Sequence, residues 1–433
     1  MTLSSSAFTF TATAPRSVFL APQTSARVFL AFAAAYFCSA LVRAITATLS
    51  PVLTQDFSLQ ASDLGLLAGG YFLGFAAMQL PLGAWLDQHG PKRVILCFLS
   101  LAVVGCFAFS MAGSFSWLLA ARVLVGMGVS ACLMAPLTGY RRWFDTPALL
   151  RANSWMLMTG SLGMLASTLP VQWLMPLTGW RPLFWILAAM ILLAMAAIVW
   201  VVPPWNNAAP KAVAAGASDA AVSLKIGRPS YASIWRSRYF QKMASLAFFN
   251  YGGLIAVQTL WAGPWMVKVS GYTSLQAATG LFYINATMLV TFWCWGMVNP
   301  WLVQRGWNAN RLIGWGVPLS LAVLLLNIVG GTSTGWLGWA LFCMSSSAMG
   351  LASPAVSMSF PAGLAGRALT AYNLVIFIGV FVVQWGIGLL IDTFAAMGLS
   401  SVRSFQGAMA VFLCCCIASY AYFLSVNTDN SPQ

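Results

Sequence analysis

Apolar runs of about twenty residues recur along almost the whole chain, and they limit its folding more than any motif does. Twelve can be laid out, near residues 28–53, 62–83, 92–112, 116–139, 151–175, 182–202, 243–267, 274–299, 310–330, 335–360, 368–391 and 404–425. A helix rises ~1.5 Å per residue, so about twenty apolar residues span the hydrocarbon core of a bilayer. Charge is scarce: 21 basic and seven acidic side chains among 433 residues, 6% in all, where soluble domains carry about 25%. Too few charges exist to cover a soluble particle of this size, so lipid is the expected solvent. All seven acids are Asp, which argues against an enzyme built on paired carboxylates.

The net charge of +14 suggests nucleic acid, but the basic residues sit in short connections between apolar runs. No nucleic-acid partner is expected. All nine cysteines fall inside apolar segments, and His89 is the only histidine. They read as buried small hydrophobes, with no zinc spacing, no disulfide framework and no cofactor. Trp117, Trp180, Trp265 and Trp307 fall near run ends, where interfacial aromatics belong.

Counting Lys and Arg sets the orientation. With both termini in the cytoplasm, only Arg181, Lys268 and Arg403 of the 21 basic residues lie outside. Arg43 and Arg122 fall within spans, and all the others lie inside. This predicts a cytoplasmic tail over 1–26, a six-helix bundle over 27–202, a cytoplasmic linker over 203–242, a second six-helix bundle over 243–425, and a cytoplasmic tail over 426–433. The linker opens at Pro203-Pro204 and continues through an Ala/Gly/Ser stretch. Residues 231–240 read as a surface helix, with Trp235 and Tyr239 towards lipid and Arg236 and Arg238 in water. The Ser/Thr/Ala-rich start reads as a disordered tail, with an organelle transit peptide as the alternative.

Between the second and third runs stand Gly83, Asp87, Gly90, Lys92 and Arg93. This spacing resembles the signature loop of the major facilitator superfamily, with Gln88 and Pro91 where basic residues are usual. Gly83 would let helices approach closely, Gly90 would permit a tight turn, and Asp87 would sit at a helix end. The resemblance implies a cytoplasmic latch between the two halves, so these five residues are read as gating residues. A weaker second copy, without the acid, runs through Gly296, Pro300, Arg305, Gly306 and Arg311. Gly179 to Phe184 resembles the family's link between helices five and six. Arg122, Gly126 and Gly128 resemble its pattern on helix four.

An Arg inside a membrane costs ~2.5–3.5 kcal/mol even on the lenient insertion scale. Arg43 and Arg122 reach depths of ~12 Å and ~9 Å below the outer ends of their runs. In the family, helices one and four border a central cavity. Two cations there, with no carboxylate opposite, imply an anion site suited to a carboxylate, nitrate or phosphate. The alternatives are that Arg122 pairs with backbone carbonyls and that Arg43 snorkels to the interface. Residues 43–56, Gly65, Tyr71, Phe72, Met78, Gln79 and Pro81 look like the bacterial anion symporter and nitrate/nitrite-porter-like branches. The glycine-rich signatures of true nitrate porters are absent.

No acid lies in mid-membrane. A coupling proton would therefore ride on the substrate's own acid group or use Asp56, Asp63 or Asp392 at the rim; anion exchange or facilitated diffusion is the remaining option. Helix five lacks the family's antiporter Gly-Pro pair. The polar membrane residues of the second half are Asn250, Gln258, Asn285, Asn373 and Gln384. In the family, helices seven and ten border the cavity, so Gln258 and Trp261 are read as substrate contacts. Asn373 on helix eleven is a third candidate, although interhelical bonding would equally explain the amides. Pro354 would kink helix ten.

The sequence thus predicts an all-α integral membrane protein of two pseudo-symmetric six-helix bundles around a central cavity. It would be a monomer in the inner (plasma) membrane, not an enzyme. Its expected function is alternating-access transport of a small organic anion, by proton-coupled import. The alternative is an exporter of amphipathic drugs or metabolites.

Overall fold

The computed structural model describes residues 19–205 and 231–426. Most of the expected N-terminal tail, the Ala/Gly/Ser stretch of the linker with Lys211, Lys225 and Arg228, and the expected tail beyond Val426 lie outside the described residues.

The described chain makes twelve helical passes. In the first half they are α1 (Pro22–Phe57), α2 (Ala61–Ala77), α3 (Gln79–Ser110), α4 (Phe115–Trp143), α5 (Thr146–Ala166, then Leu169–Thr178) and α6 (Trp180–Val201). In the second half they are α7 (Arg238–Lys268), α8 (Ser274–Gln304), α9 (Ala309–Gly330), α10 (Trp336–Met358), α11 (Ala362–Ala396) and α12 (Ser401–Ser425). Ten helices among the described residues are individually long and apolar enough to cross a membrane. The second and fifth passes are broken. The second is interrupted at Met78 and finishes in the first turns of α3. The fifth breaks at Thr168, whose ψ of -109° is not helical, and restarts with Pro170 in its first turn.

Local chemistry sets the ends. Pro22 opens α1, and Ser58, at φ 50°, stops it in the left-handed conformation. The helix therefore outruns the expected 28–53 at both ends. Gln60 and Asp63 form a capping box on α2. Gly90 turns the chain inside α3 at φ 76°, and Gly306 turns it between α8 and α9 at φ 79°. These equivalent turns in the two halves fit a pseudo-repeat.

The expected surface helix over 231–240 is split. Tyr231–Arg236 is a separate short helix, and Ser237 caps the start of α7 by accepting from the Phe240 amide. Tyr239 donates to Asn310 Oδ1 at 3.1 Å, so it ties α7 to α9 instead of facing lipid.

Apolar side chains remain on the outside, with Trp200 84% and Trp315 74% exposed. Such surface is stable against hydrocarbon. Trp117 is exposed as an interfacial residue would be, but Trp265 is fully buried against Trp339, their ring centroids 5.2 Å apart.

The first, third and fifth connections lie on one face of the bundle, and the second and fourth lie on the other with the linker. On the face away from the linker, α2 packs on α11 with almost no space between backbones. A Cβ on Gly65 would sit 2.4 Å from the Gln384 carbonyl oxygen, and one on Gly388 would sit 2.3 Å from that of Ala61. Asp392 of α11 completes this closure. Its carboxylate accepts from the backbone amides of Ala61 at 3.1 Å and Ser62 at 2.7 Å, capping α2 from the other half of the molecule.

Candidate functional site

The two mid-span arginines meet where α1, α2 and α4 cross. Arg122 is 1% exposed. Its Nη1 donates to the Val42 carbonyl at 2.9 Å and its Nη2 to the Arg43 carbonyl at 3.2 Å, while its Cζ lies 5.1 Å from the Tyr71 ring centroid. These contacts put both arginines at one depth. They also commit both terminal nitrogens of Arg122 to the backbone of α1. The pair of cavity-facing cations expected from the sequence is thereby reduced to one.

Arg43 is that one. Val42 and Ala44 on either side are buried, whereas Arg43 is half-buried. It lies about fourteen residues, ~21 Å along the axis, before the end of α1. Its guanidinium turns to tyrosines of α1 and α2 within the bundle, which is not the expected alternative of snorkelling to the interface. Its Nε is buried without a hydrogen-bond partner, and its Cζ stands 5.9 Å from the Phe75 ring centroid. Tyr36 of α1 and Tyr71 of α2 present their hydroxyls to the guanidinium, and Tyr251 of α7 lies within its electrostatic reach. Phe377 of α11 packs on Phe75 with centroids 4.4 Å apart. Four helices from both halves therefore surround with aromatic side chains one cation whose partners are phenolic hydroxyls.

Sequence reasoning missed Tyr36 and Tyr251 as members of this site. A readable signal existed. A tyrosine in mid-span carries a hydroxyl that no interfacial role explains.

The second-half candidates have other partners in this conformation. Gln258 Nε2 donates to Asn285 Oδ1 at 3.0 Å, binding α7 to α8. Trp261 is fully buried, and its Nε1 donates to the Gln384 carbonyl at 3.1 Å, binding α7 to α11. Gln384 Nε2 donates to Thr259 Oγ1 at 3.0 Å, and Asn250 Nδ2 to Ser419 Oγ at 2.8 Å. Trp261 thus offers no free face to a substrate here, contrary to the expectation. Asn373 is half-buried on α11. Gln258 and Trp261 share a π-helical turn, Val257–Trp261, and Tyr251 ends another, Ala247–Tyr251. Such turns rotate side chains away from the regular helical register and are frequent at functional sites.

The expected gating loop is bound to its own half. Lys92 Nζ donates to the carbonyls of Val199 and Val202, each at 2.7 Å, closing the C-terminal end of α6. Gly90 needs its hydrogen side chain twice: φ is positive, and a Cβ would fall 2.2 Å from Trp205 Cγ. Gly83 contradicts the close-approach expectation, since nothing lies within 4 Å of where its Cβ would be. Asp87 and Arg93 are exposed.

The rim acids have structural bonds. Asp56 Oδ2 accepts from Trp180 Nε1 at 2.7 Å, Asp63 caps α2, and Asp392 bridges the halves. Two shallow clefts of about 500 and 450 Å³ lie beside Trp117 and beside Phe248, and neither includes Arg43.

The sequence profile of the Major Facilitator Superfamily matches residues 32–384. A probable L-galactonate transporter of Escherichia coli is 24% identical over 446 aligned positions, covering 95% of this chain and 91% of that protein. A gallate transporter of Pseudomonas putida is 25% identical, covering 70% and 72%. A probable sulfoacetate transporter of Cupriavidus necator is 24% identical; the alignment takes in 56% of this chain and spans only 57% of that relative's length. Among solved structures, a bacterial homologue of the human lysosomal transporter Spinster superposes with a TM-score of 0.76 at 16% identity, covering 94% and 97% of the two chains. That likeness concerns the fold. With most of its length matched by the family profile and its helices arranged as in a solved member, the chain belongs to the major facilitator superfamily of multi-pass membrane transporters.

Proposed function

We propose that this chain carries a small organic anion across an inner (plasma) membrane by alternating access, with Arg43 holding the anionic group. The observation that carries the reading is the Arg43 guanidinium in mid-span, met by two tyrosine hydroxyls, with its Nε buried and without a partner. An arginine fork matches a carboxylate bidentately, and a low-dielectric surrounding strengthens the pair. The relatives named for galactonate, gallate and sulfoacetate support an acidic substrate.

The linker face is the cytoplasmic one, since Lys92, Arg93, Arg141, Arg142 and Arg151 lie on it and Arg181, Lys268 and Arg403 lie on the other. Both termini are then cytoplasmic. The conformation described is closed on the outside by Asp392 and the α2–α11 contact. Opening there and closing at the linker face would expose Arg43 to the other side. Gly83, Asp87, Gly90, Lys92 and Arg93 act in that second closure. A substrate shifts the balance only by its differential affinity for the two states.

Import is coupled to a proton. No acid lies mid-span, so the proton travels on the substrate or through a rim acid. The protein works as a monomer without a cofactor. The test uses the purified protein in sealed vesicles, with the carboxylate that most stabilises it against heat supplied from outside. Uptake driven by an inward proton gradient and lost in Arg43→Gln is expected. Uptake indifferent to the gradient would overturn the coupling. Stabilisation by lipophilic cations alone, unchanged in Arg43→Gln, would make the chain an exporter of amphipathic compounds.

A further inference from the structure

We infer that the substrate is an aromatic monocarboxylate, in preference to a sugar acid or a dicarboxylate; this rests on the reading of Arg43 as an anion anchor. Three observations carry it.

The first is a count of positive charge. Among the described residues Arg122 is the only other cation in mid-span, and both its terminal nitrogens are bonded to α1 carbonyls. A second carboxylate would enter a low-dielectric space without a partner, which is strongly unfavourable. The site therefore suits a single negative charge.

The second is the wall around that charge. The Phe75 ring stands 5.9 Å from the Arg43 Cζ, and Phe377 packs on Phe75 from the opposite half. Tyr71 lies 6.1 Å from Phe75, centroid to centroid. A planar ring attached to a carboxylate would meet aromatic faces and edges next to the guanidinium. Offset or edge contacts of this kind add affinity beyond the area they bury.

The third is the scarcity of free hydrogen-bonding groups. The amide nitrogens that would donate to sugar hydroxyls are bonded, Gln258 to Asn285, Gln384 to Thr259 and Asn250 to Ser419, which leaves Gln384 Oε1 as a buried acceptor without a partner. A sugar acid would bury several hydroxyls with few partners, and each unpaired one costs affinity. Around Arg43 the groups at hand are phenolic hydroxyls. Tyr251 lies within electrostatic reach of Arg43, and Tyr372, within reach of Tyr251, has its hydroxyl buried without a partner. A phenolic substituent on the ligand ring matches that supply better than a polyol does.

The experiment measures heat stabilisation and affinity of the purified full chain with four probes: 4-hydroxybenzoate, benzoate, glucuronate and phthalate. Arg43→Gln and Phe75→Leu are run beside the wild type. The two aromatic monocarboxylates should bind at least about tenfold more tightly than glucuronate and phthalate. Phe75→Leu should weaken them about three- to tenfold, as expected for one lost aromatic contact, and Arg43→Gln should abolish them. If Phe75→Leu does not fold, Phe377→Leu serves the same purpose from α11. Glucuronate or phthalate binding as tightly as the aromatic acids, and only with Arg43 present, would overturn the substrate class while leaving the anion site standing. Binding of every probe unchanged in Arg43→Gln, or no binding at all, would remove the anion site itself.

Discussion

Arg43 and Arg122 stand at one level of the membrane and touch the same tyrosine, yet their surroundings use them in opposite ways. Arg122 reaches from α4 into α1 and donates to two carbonyls there. Arg43 grows out of that stretch of α1 and meets aromatic side chains and their hydroxyls instead of carbonyls, while the Nε of each arginine is without a partner. The difference teaches that a buried cation is read by what its nitrogens can reach. A carbonyl already bonded within its helix keeps a second lone pair, and that lone pair makes Arg122 a strut between helices. Arg43 faces two tyrosine hydroxyls in place of backbone carbonyls, and these are partners that a ligand can share.

The sharpest way to break this comparison is to neutralise each cation. Arg43→Gln should weaken binding of the best carboxylate by at least about 100-fold, or ~2.7 kcal/mol. It should leave thermal stability unchanged or raised, because a half-buried charge with no ion-pair partner is removed. Calorimetry and a melting curve on one preparation check both. Arg122→Gln should do the reverse. Two hydrogen bonds from a charged donor would be lost, at about 1.5–3 kcal/mol each by soluble-protein experience and less within a membrane. A melting temperature several degrees lower is expected, with affinity per folded molecule within about threefold of the wild type.

The comparison also assumes that Arg43 is shut off from the outer face, which Asp392→Asn tests. Losing the charge on the α2 N-terminus should weaken the outer closure by about 1 kcal/mol. Spin labels placed on the outer ends of α2 and α11 should then report more of the separated distance, and unchanged distances would deny Asp392 its role. Tyr71→Phe gives the smallest expected effect. It deletes a hydroxyl beside Arg43 that donates to the Ser39 carbonyl at 3.3 Å, and keeps the ring under Arg122. Affinity should fall about three- to tenfold while the melting temperature changes by less than in Arg122→Gln.

The twelve passes were legible because apolar length and short polar connections are properties of the chain itself. The tight turn at Gly90 was legible too, from glycine beside proline and basic residues. The direction of each side chain about its helix axis was not. Residue spacing gave Arg43 and Arg122 similar depths, and their contact agrees, but depth does not tell a cavity from a neighbouring backbone. Trp261 was misread for the same reason, since a π-helical turn carries it onto the Gln384 carbonyl. Gly83 was misread because a motif names a residue without naming the conformation in which it is packed. The end of α1 was misjudged because Ser58, and not the edge of the apolar run, stops the helix.

The most direct test of the account is one binding series. The affinity of the most stabilising carboxylate is measured for the wild type, Arg43→Gln and Arg122→Gln, each normalised to its folded fraction. The account predicts at least about 100-fold loss in Arg43→Gln and no more than about threefold in Arg122→Gln. Equal losses in both, or the larger loss in Arg122→Gln, would contradict it.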